Sequence, residues 1–267
     1  MFDPIRIAAH NPGPMTGRGN NTYLLIEPNG AVLVDAGVGA ERHLAAIGRH
    51  LDDRGAQLAH VLVTHAHADH ASGAPALAAV HRAARFSKRL WPEEDAKYGV
   101  DWSPIADGER LSAGGVEPLT AVHTPGHSPD HVVFWHEPSG TVFTGDLVVP
   151  GGSVWIPWSR GGDLVQYLAS LERVLALGPR LLLPAHGPAV PEPAALLTAY
   201  LDHRRLRERQ VAAALAGGRE TVQAIAESIY DGLGSALMPA ARETVRAHLE
   251  KLRIEGRAFE ERGRWKS

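Results

Sequence analysis

One short segment of the sequence concentrates side chains that bind metal ions. His65, His67, Asp69 and His70 lie within six residues, directly after the apolar run His60–Val63, which is typical of a buried strand. Alternate side chains of an extended chain point to the same side, so His65 and His67 can reach one ion together. Imidazole nitrogens bind Zn²⁺ at about 2.0–2.1 Å. The segment therefore predicts a metal site; the alternative is a solvated loop rich in histidine.

Three further candidate ligands lie apart in the sequence but share one local context. Each follows a short predicted strand and stands beside glycine or proline, in a loop that a rigid sheet can position. These residues are His127, Asp146 and His186. Taken singly, a histidine in such a loop is more often structural than a ligand. Together with the first segment they supply five histidines and two aspartates, which is enough for two metal ions.

The composition restricts the chemistry that these residues can support. The 267 residues include 15 histidines and no cysteine, which excludes thiolate ligands, cysteine nucleophiles and disulfide partners. Nitrogen and oxygen ligands suit Zn²⁺, and they also tolerate Mn²⁺, Fe²⁺ or Co²⁺. No apolar run approaches the roughly 18 residues of a membrane span, and Met1–His10 lacks the features of a signal peptide. We therefore expect a cytoplasmic protein with no membrane partner.

Strand-like and helix-like runs alternate over most of the chain. The apolar runs Asn21–Ile26 and Ala31–Val34 are separated by the turn signal Pro28-Asn29-Gly30 and predict a hairpin. The other predicted elements are helices over 41–51, 75–85 and 164–177 and strands over 60–63, 116–122, 131–136, 141–143 and 180–183. This alternation indicates two sheets covered by helices.

The pattern changes after a proline-rich stretch that ends at Pro193. The predicted elements there are helices over 194–215, from Thr221 and over 240–254, then a hairpin around Arg262-Gly263. Three helices and a terminal hairpin are typical of a winged helix. We therefore predict a catalytic domain over residues 1–193 and a winged-helix-like domain over residues 194–267.

The metal-ligand pattern resembles that of the metallo-β-lactamase superfamily. The residues that carry the resemblance, in the order and loop contexts of its dinuclear zinc hydrolases, are His65, His67, Asp69, His70, His127, Asp146 and His186. Motifs at both ends are similar to the β-lactamase-like protein 2 group of that superfamily, which carries a C-terminal winged helix: Asn11-Pro-Gly-Pro14, Gly19–Leu24, Val34-Asp-Ala-Gly37, His203-Arg-x-x-Arg207 and the hairpin with Trp265. The resemblance implies a four-layer αββα sandwich with a small C-terminal winged-helix domain.

The resemblance also implies a role for each residue of the pattern. The first of two Zn²⁺ ions would be bound by His65, His67 and His127. The second would be bound by Asp69, His70 and His186, and Asp146 would bridge the two. Two such ions hold a hydroxide that attacks the substrate at neutral pH. On this basis His67, Asp69 and Asp146 are the predicted catalytic residues, and Asp69 also orients the hydroxide.

Residues beside this pattern are candidates for supporting roles. Asp35 either orients a ligand histidine or caps a turn. Thr64 and Ser128 are expected to hydrogen-bond around the metals, whereas His131 fits better as a structural histidine. Asn20–Tyr23 lie on an early hairpin that flanks the site in the superfamily.

A glycine- and proline-rich insert contributes the last candidates. Trp155, Trp158 and Arg160 lie in the segment Pro150–Gly162. They either form a wall that faces the substrate or belong to a surface flap without a role.

Three functions fit the sequence. The preferred one, which the resemblance to the β-lactamase-like protein 2 group implies, is hydrolysis of the phosphodiester bond of single-stranded RNA. Residues 197–267 hold 13 Lys and Arg against 10 Asp and Glu and could contact a backbone. The same balance also describes an ordinary solvated helical surface. The second is hydrolysis of a small thioester, lactone or β-lactam, which the 14 Lys and Arg against 20 Asp and Glu of residues 1–196 favour. The third is a non-enzymatic nucleic-acid-binding protein with a structural metal.

Overall fold

Two β-sheets pack face to face between layers of helices, and a smaller helical unit follows them. The computed structural model describes residues 2–27, 29–112 and 115–267, so Pro28 of the predicted hairpin turn lies outside the described residues. No helix in these ranges combines the length and the apolar character that a membrane crossing requires.

The first sheet combines a hairpin with parallel strands. Its six strands are β1 (Ile5–Ala8), β2 (Asn21–Glu27), β3 (Gly30–Val34), β4 (Leu58–Leu62), β5 (Arg85–Lys88) and β6 (Trp102–Pro104). They lie side by side in sequence order; the pairs up to β3 are antiparallel and the later pairs are parallel. All five residues of β3 are buried, because helices cover one face of this sheet and the second sheet covers the other.

The helices associated with the first sheet are short. They are α1 (Glu41–Asp52), α2 (Ala68–Ala71), α3 (Ala74–Val80) and α4 (Pro92–Asp95). Ile47 of α1 and Leu77 of α3 pack with Leu33 and Val61 on the outer face of the sheet.

The second sheet is antiparallel except at one edge. Its strands are β7 (Arg110–Leu111), β8 (Leu119–His123), β9 (Val132–His136), β10 (Thr141–Gly145) and β11 (Leu181–Pro184), in the spatial order β11-β10-β9-β8-β7. Only the β10–β11 pair is parallel among the described strands of this sheet, and helix α5 (Leu164–Ala176) makes the crossover between them. Asp163 caps α5 by accepting a hydrogen bond from the backbone N–H of Gln166 at 3.0 Å.

The C-terminal unit contains three helices and a hairpin. These elements are α6 (Pro193–Ala216), α7 (Val222–Ile229), α8 (Met238–Ile254), β12 (Phe259–Glu261) and β13 (Arg264–Lys266). Trp265 of the hairpin is fully buried and packs with Leu215 and Val245 of the helices. The positive φ angles of Arg262 and Gly263 form the predicted tight turn of the hairpin.

Three apolar clusters establish the predicted four layers. Tyr23 and Val32 of the first sheet meet Phe134 and Phe143 of the second in the central cluster. Helices α1 and α3 cover the outer face of the first sheet, and α5 with the first half of α6 covers the outer face of the second. The four-layer αββα sandwich with a small C-terminal helical domain is therefore confirmed.

Helix α6 connects the sandwich and the C-terminal unit. Leu197 and Leu201 in its first half pack with the second sheet, whereas Val211 and Leu215 in its second half belong to the C-terminal core. The division between residues 193 and 194 stays a prediction, since one continuous helix serves both cores.

The predicted helix over 75–85 is wrong in its second half. Helix α3 ends at Val80, and Arg85 begins strand β5, which inserts between β4 and β6. The pairing partners of β5 are distant in sequence, so the local spacing of apolar residues does not reveal them. The strand predicted over 116–122 also begins later, at Leu119.

Candidate metal centre

All seven predicted ligands meet beyond the carboxyl ends of four strands, at one edge of the sandwich. Two groups result, and in each group the candidate ligand atoms lie within 4.8 Å of one another. The first contains His65, His67 and His127, and the second contains Asp69, His70, Asp146 and His186. His65–His70 follow β4, whereas His127, Asp146 and His186 follow β8, β10 and β11.

The first group consists of three converging imidazole nitrogens. His67 Nδ1 lies 3.0 Å from His65 Nε2 and 2.9 Å from His127 Nε2. Nitrogens that share one Zn²⁺ ion at 2.0–2.1 Å lie roughly 3.3 Å apart, so the spacing fits a common ion. Burial lowers the pKa of all three histidines, that of His67 to about 3, which favours the neutral form that binds metals.

Asp146 lies between the two groups. Its Oδ2 is 3.5 Å from His127 Nε2 of the first group. Its Oδ1 is 3.2 Å from His186 Nε2 and 3.4 Å from His70 Nε2 of the second group. Asp69 Oδ2 lies 3.5 Å from both of those nitrogens. The arrangement can support one ion in each group with the Asp146 carboxylate between them.

Burial and neighbouring charges set the ionisation of the second group. Burial opposes the charged form of His70, but the carboxylates of Asp69 and Asp35 outweigh it and raise the pKa of His70 well above its usual range. Burial likewise opposes the charged form of His186, yet Asp146 raises its pKa to about 9. Burial raises the pKa of Asp69 and Asp146, but His70 reverses this and holds both well below the usual value. A divalent cation that binds beside these ionised carboxylates would take the place of the protons on His70 and His186.

Hydrogen bonds on the far side of the rings aim two candidate ligands. His70 Nδ1 lies 2.9 Å from Asp35 Oδ2, and His127 Nδ1 lies 2.7 Å from the carbonyl oxygen of Trp155. A proton held on Nδ1 leaves Nε2 of each ring free to bind a metal. Asp35 also accepts the backbone N–H of Thr64 at 2.8 Å, and its φ of +64° is unusual outside glycine. The geometry matches the orienting role that the sequence left open for Asp35.

Two other candidates support the carboxylates. His131 Nε2 accepts the backbone N–H of Asp146 at 3.1 Å, and His131 Nδ1 lies 2.8 Å from Thr124 Oγ1. His131 therefore has partners for both nitrogens and is a structural histidine. Asn20 Nδ2 donates to Asp69 Oδ2 at 3.0 Å, which fixes the carboxylate from the early hairpin.

Sequence reasoning missed the groups that hold the peptide bonds between His65 and His67. Asp130 Oδ2 accepts the backbone N–H of Ala66 at 2.8 Å, and the hydroxyl of Tyr98 donates to the Ala66 carbonyl oxygen at 2.5 Å. Asp130 Oδ2 also lies 2.9 Å from Lys88 Nζ. The hydroxyl of Ser128 donates to Asp130 at 2.5 Å. Ser128 therefore stabilises Asp130 and does not hydrogen-bond to the candidate metal ligands.

A cavity of about 270 Å³ opens over both groups. His67, Asp69, Asp146 and other site residues form its floor. Residues from an early loop and from the insert after β10 form the walls: Met15, Val149, Ser153, Val154, Trp155 and Arg160. Arg160 is the one lysine or arginine among the described lining residues, and most of the other wall residues are apolar.

Comparison with known families agrees with the geometry. Residues 15–186 match the model of the metallo-beta-lactamase superfamily, and residues 221–265 match that of the beta-lactamase associated winged helix domain. The chain belongs to the metallo-β-lactamase superfamily. The first match contains all seven candidate ligands, and the second covers α7, α8 and the hairpin, so the winged-helix prediction is confirmed. The superfamily is generally hydrolytic and metal-dependent.

Two individual relatives cover nearly the whole chain. The Beta-lactamase-like protein 2 homolog of Drosophila melanogaster is 32% identical over an alignment of 265 residues that covers 95% of this chain and 88% of that protein. A metallo-beta-lactamase family protein from Thermus thermophilus has the same fold, with a TM-score of 0.82 at 22% identity over 99% of this chain and 98% of that one. The predicted resemblance to the β-lactamase-like protein 2 group is confirmed.

A third neighbour covers only part of the chain. The protein TTHA1623, solved in a di-iron-bound form, has a TM-score of 0.56 at 27% identity and covers 76% of this chain and 97% of its own.

Proposed function

We propose that this member of the metallo-β-lactamase superfamily hydrolyses small acyl compounds, namely esters, thioesters, lactones or β-lactams, with two Zn²⁺ ions. The observation that carries the proposal is the cavity of about 270 Å³, whose floor holds ligands of both groups and whose walls are mostly apolar. A cavity of that size suits a single small acyl group.

The donor atoms of this chain fit two divalent ions. The first ion would be held by His65, His67 and His127, and the second by Asp69, His70 and His186, with Asp146 shared. Zn²⁺ suits this set, and Fe²⁺ is an alternative because the neighbour TTHA1623 is in a di-iron-bound form. Two such ions, when bound, supply Lewis acidity and bring the pKa of a water molecule into the neutral range.

The side chains of this site have separate roles in the hydrolysis that the two ions would support. Asn20 holds Asp69 by donating to its Oδ2 at 3.0 Å, and the Asp69 carboxylate can accept a proton from the attacking water. Asp146 sets the spacing of the two groups through contacts from both of its oxygens. His67 reaches the cavity as a neutral ligand whose Nδ1 faces the other two nitrogens. The mostly apolar wall would contact the acyl group.

Cleavage of single-stranded RNA is the second candidate function. The match to a winged helix over residues 221–265 and the excess of basic over acidic residues in 197–267 favour it. The cavity favours the acyl substrate, since Arg160 is the one lysine or arginine among its described lining residues. A nucleic-acid-binding protein with a purely structural metal is disfavoured, because structural zinc sites are closed four-ligand sites and five of these seven ligands line a cavity.

One set of assays separates these functions. Zinc-loaded protein is incubated with N-acetylcysteamine thioesters and, separately, with a fluorescent single-stranded RNA, and Asp146→Asn is the control for contaminating enzymes. Thioester hydrolysis that the variant loses supports the proposal. RNA cleavage that the variant loses, without thioester hydrolysis, transfers the assignment to the second candidate. No hydrolysis of either substrate by protein with two bound ions would refute both.

A further inference from the structure

We propose that Arg160 recognises an anionic group of the substrate, so that the natural substrates are small acyl compounds that carry a carboxylate. We further infer that the C-terminal unit holds Arg160 in place and thereby sets this preference. Both inferences rest on the proposed hydrolysis of small acyl compounds, and the experiments below separate their failure from the failure of that function.

Arg160 is an unpaired cation at the mouth of the metal cavity. Its side chain is exposed and lines the cavity. Some exposed arginines are neutralised by carboxylates: Arg173 lies 3.0 Å from Asp107, and Arg264 lies 2.8 Å from Glu220. No carboxylate of the described residues lies within 4.0 Å of Arg160 in this way. Its planar guanidinium is therefore free to bind a carboxylate with two parallel hydrogen bonds.

The other residues that line the cavity restrict the kind of substrate that Arg160 can bind. The floor already contains two carboxylates, Asp69 and Asp146, whose charge the metal ions would offset. Other residues of the wall, among them Met15, Val149 and Trp155, offer apolar contact. A substrate that fills this space has an apolar body, a scissile bond over the floor and an anionic end at Arg160.

The backbone around Arg160 is fixed from helix α8. The N–H of Ser159 donates to Glu243 Oε2 at 2.8 Å. The guanidinium carbon of Arg246 lies 4.6 Å from the ring centre of Trp158 and 4.9 Å from that of Trp265. Arg246 thus joins the turn that carries Arg160 to the buried tryptophan of the C-terminal hairpin through two cation–π contacts.

The remainder of this wall segment, residues 149–162, is held in the same way. Tyr200 of α6 accepts the N–H of Val149 at 2.8 Å, and its hydroxyl lies 2.7 Å from the Val149 carbonyl oxygen. Arg204 of α6 donates to the carbonyl oxygen of Val154. The carbonyl of Trp155 in turn aims the candidate ligand His127. Both C-terminal helices that face the sandwich therefore position one continuous strip of the cavity wall.

A matched pair of substrates tests the role of Arg160. Succinyl- and butanoyl-N-acetylcysteamine thioesters differ mainly in a terminal carboxylate. We expect a preference for the succinyl compound of about tenfold in kcat/KM, the effect of one charge-assisted hydrogen bond at a partly solvated site. Arg160→Gln should remove this preference through KM, and Arg160→Lys should retain part of it. Arg82→Gln, which removes an exposed arginine that does not line the cavity, is the control for net charge.

A binding measurement makes the result independent of turnover. Calorimetric titration with the thioether analogue of the succinyl compound should show the same loss of affinity in Arg160→Gln and none in Arg82→Gln. Hydrolysis of both thioesters at equal rates, unchanged in Arg160→Gln, would overturn the inference and leave the proposed function standing. Hydrolysis of neither thioester by metal-loaded protein would refute the proposed function itself.

A second pair of variants tests the positioning by helix α8. Glu243→Ala removes the acceptor for the Ser159 N–H, whereas Glu243→Gln keeps a side-chain carbonyl that can accept it. We expect the alanine variant to lose most of the succinyl preference through a raised KM with little change in kcat, and the glutamine variant to retain it. A preference that is intact in Glu243→Ala would show that the C-terminal unit does not position Arg160.

Discussion

Replacing the buried lysine beneath the metal-binding segment should destabilise the protein strongly. Lys88 is fully buried, and its Nζ lies 2.6 Å from Asp95 Oδ1 and 2.9 Å from Asp130 Oδ2. Lys88→Met keeps the aliphatic bulk but leaves two buried carboxylates without their cation. Removing one partner from a buried ion pair costs about 3–5 kcal/mol, much of it from the charge left behind. We expect a loss of this size in the free energy of unfolding.

The structure offers a matched control for this substitution. Lys97 also forms a lysine–carboxylate pair, 2.6 Å from Glu94, but its side chain is 56% exposed. Lys97→Met should therefore cost less than about 1 kcal/mol. The two variants remove the same charge and differ mainly in burial.

Thermal and urea unfolding of chelator-treated protein measure this difference without a contribution from bound metal. At about 2–4 °C per kcal/mol for a domain of this size, Lys88→Met should lower Tm by roughly 6–20 °C and Lys97→Met by only a few degrees. Equal, small effects of both variants would refute the reasoning. The metal-binding segment should also loosen in Lys88→Met, because Asp130 holds the backbone N–H of Ala66.

Three further perturbations have outcomes that follow from single contacts. Asp35→Asn removes the carboxylate behind His70, so calorimetry should show zinc affinity lower by about 10–100-fold, and unchanged affinity would contradict the orienting role. Burial lowers the pKa of His43 to about 4 in the folded protein. Between pH 6.5 and 4 this histidine therefore binds a proton in the unfolded chain but not in the folded protein. The free energy of unfolding falls as the pH drops through that window. His43→Gln should lessen that fall by about 2–3 kcal/mol at pH 4, measured by urea titrations at each pH, and an unchanged pH dependence would count against it. A Cβ on Gly126, whose φ is +128°, would overlap the backbone nitrogen of Tyr167. Gly126→Ala should therefore lower the free energy of unfolding by about 3 kcal/mol or more, measured with urea, and displace the neighbouring ligand His127. A variant as stable as the wild-type protein would be inconsistent with this packing.

The convergence of the seven candidate ligands could be predicted because each has a local signal. His65 and His67 alternate along extended backbone, and His127, Asp146 and His186 each follow a strand. Ligands placed after strands of stacked sheets meet at one edge once the strands align, so order along the chain is enough to group them.

The supports of the site could not be predicted because they depend on distant partners. Lys88 stands in a polar stretch and gives no sign of burial, since its partner Asp130 lies 42 positions away. Tyr98 meets the carbonyl of Ala66 only after β5 has inserted between β4 and β6. The local pattern also extended helix α3 into that strand. The local spacing of residues predicts the metal ligands, whereas the residues that support these ligands are determined by tertiary contacts.

The elements of the C-terminal unit could be predicted from the sequence, but its contacts with the cavity wall could not. Its three helices and hairpin follow from capping and turn residues such as Thr221 and Gly263. Its contacts with the cavity wall, through Glu243 and Arg246, have no local signature. The sequence left open whether the insert that carries Arg160 forms a wall or a surface flap; Trp155 and Arg160 line the metal cavity, and a role toward the substrate stays a proposal.

Metal content measured together with hydrolysis tests the central claim most directly. Wild-type protein, His67→Ala and Asp146→Ala are loaded with zinc, dialysed and assayed by elemental analysis and thioester hydrolysis. We predict two ions per wild-type chain, fewer in each variant, and loss of hydrolysis in both. Unchanged metal content with full activity in both variants, or no bound zinc in the wild-type protein, would contradict the account.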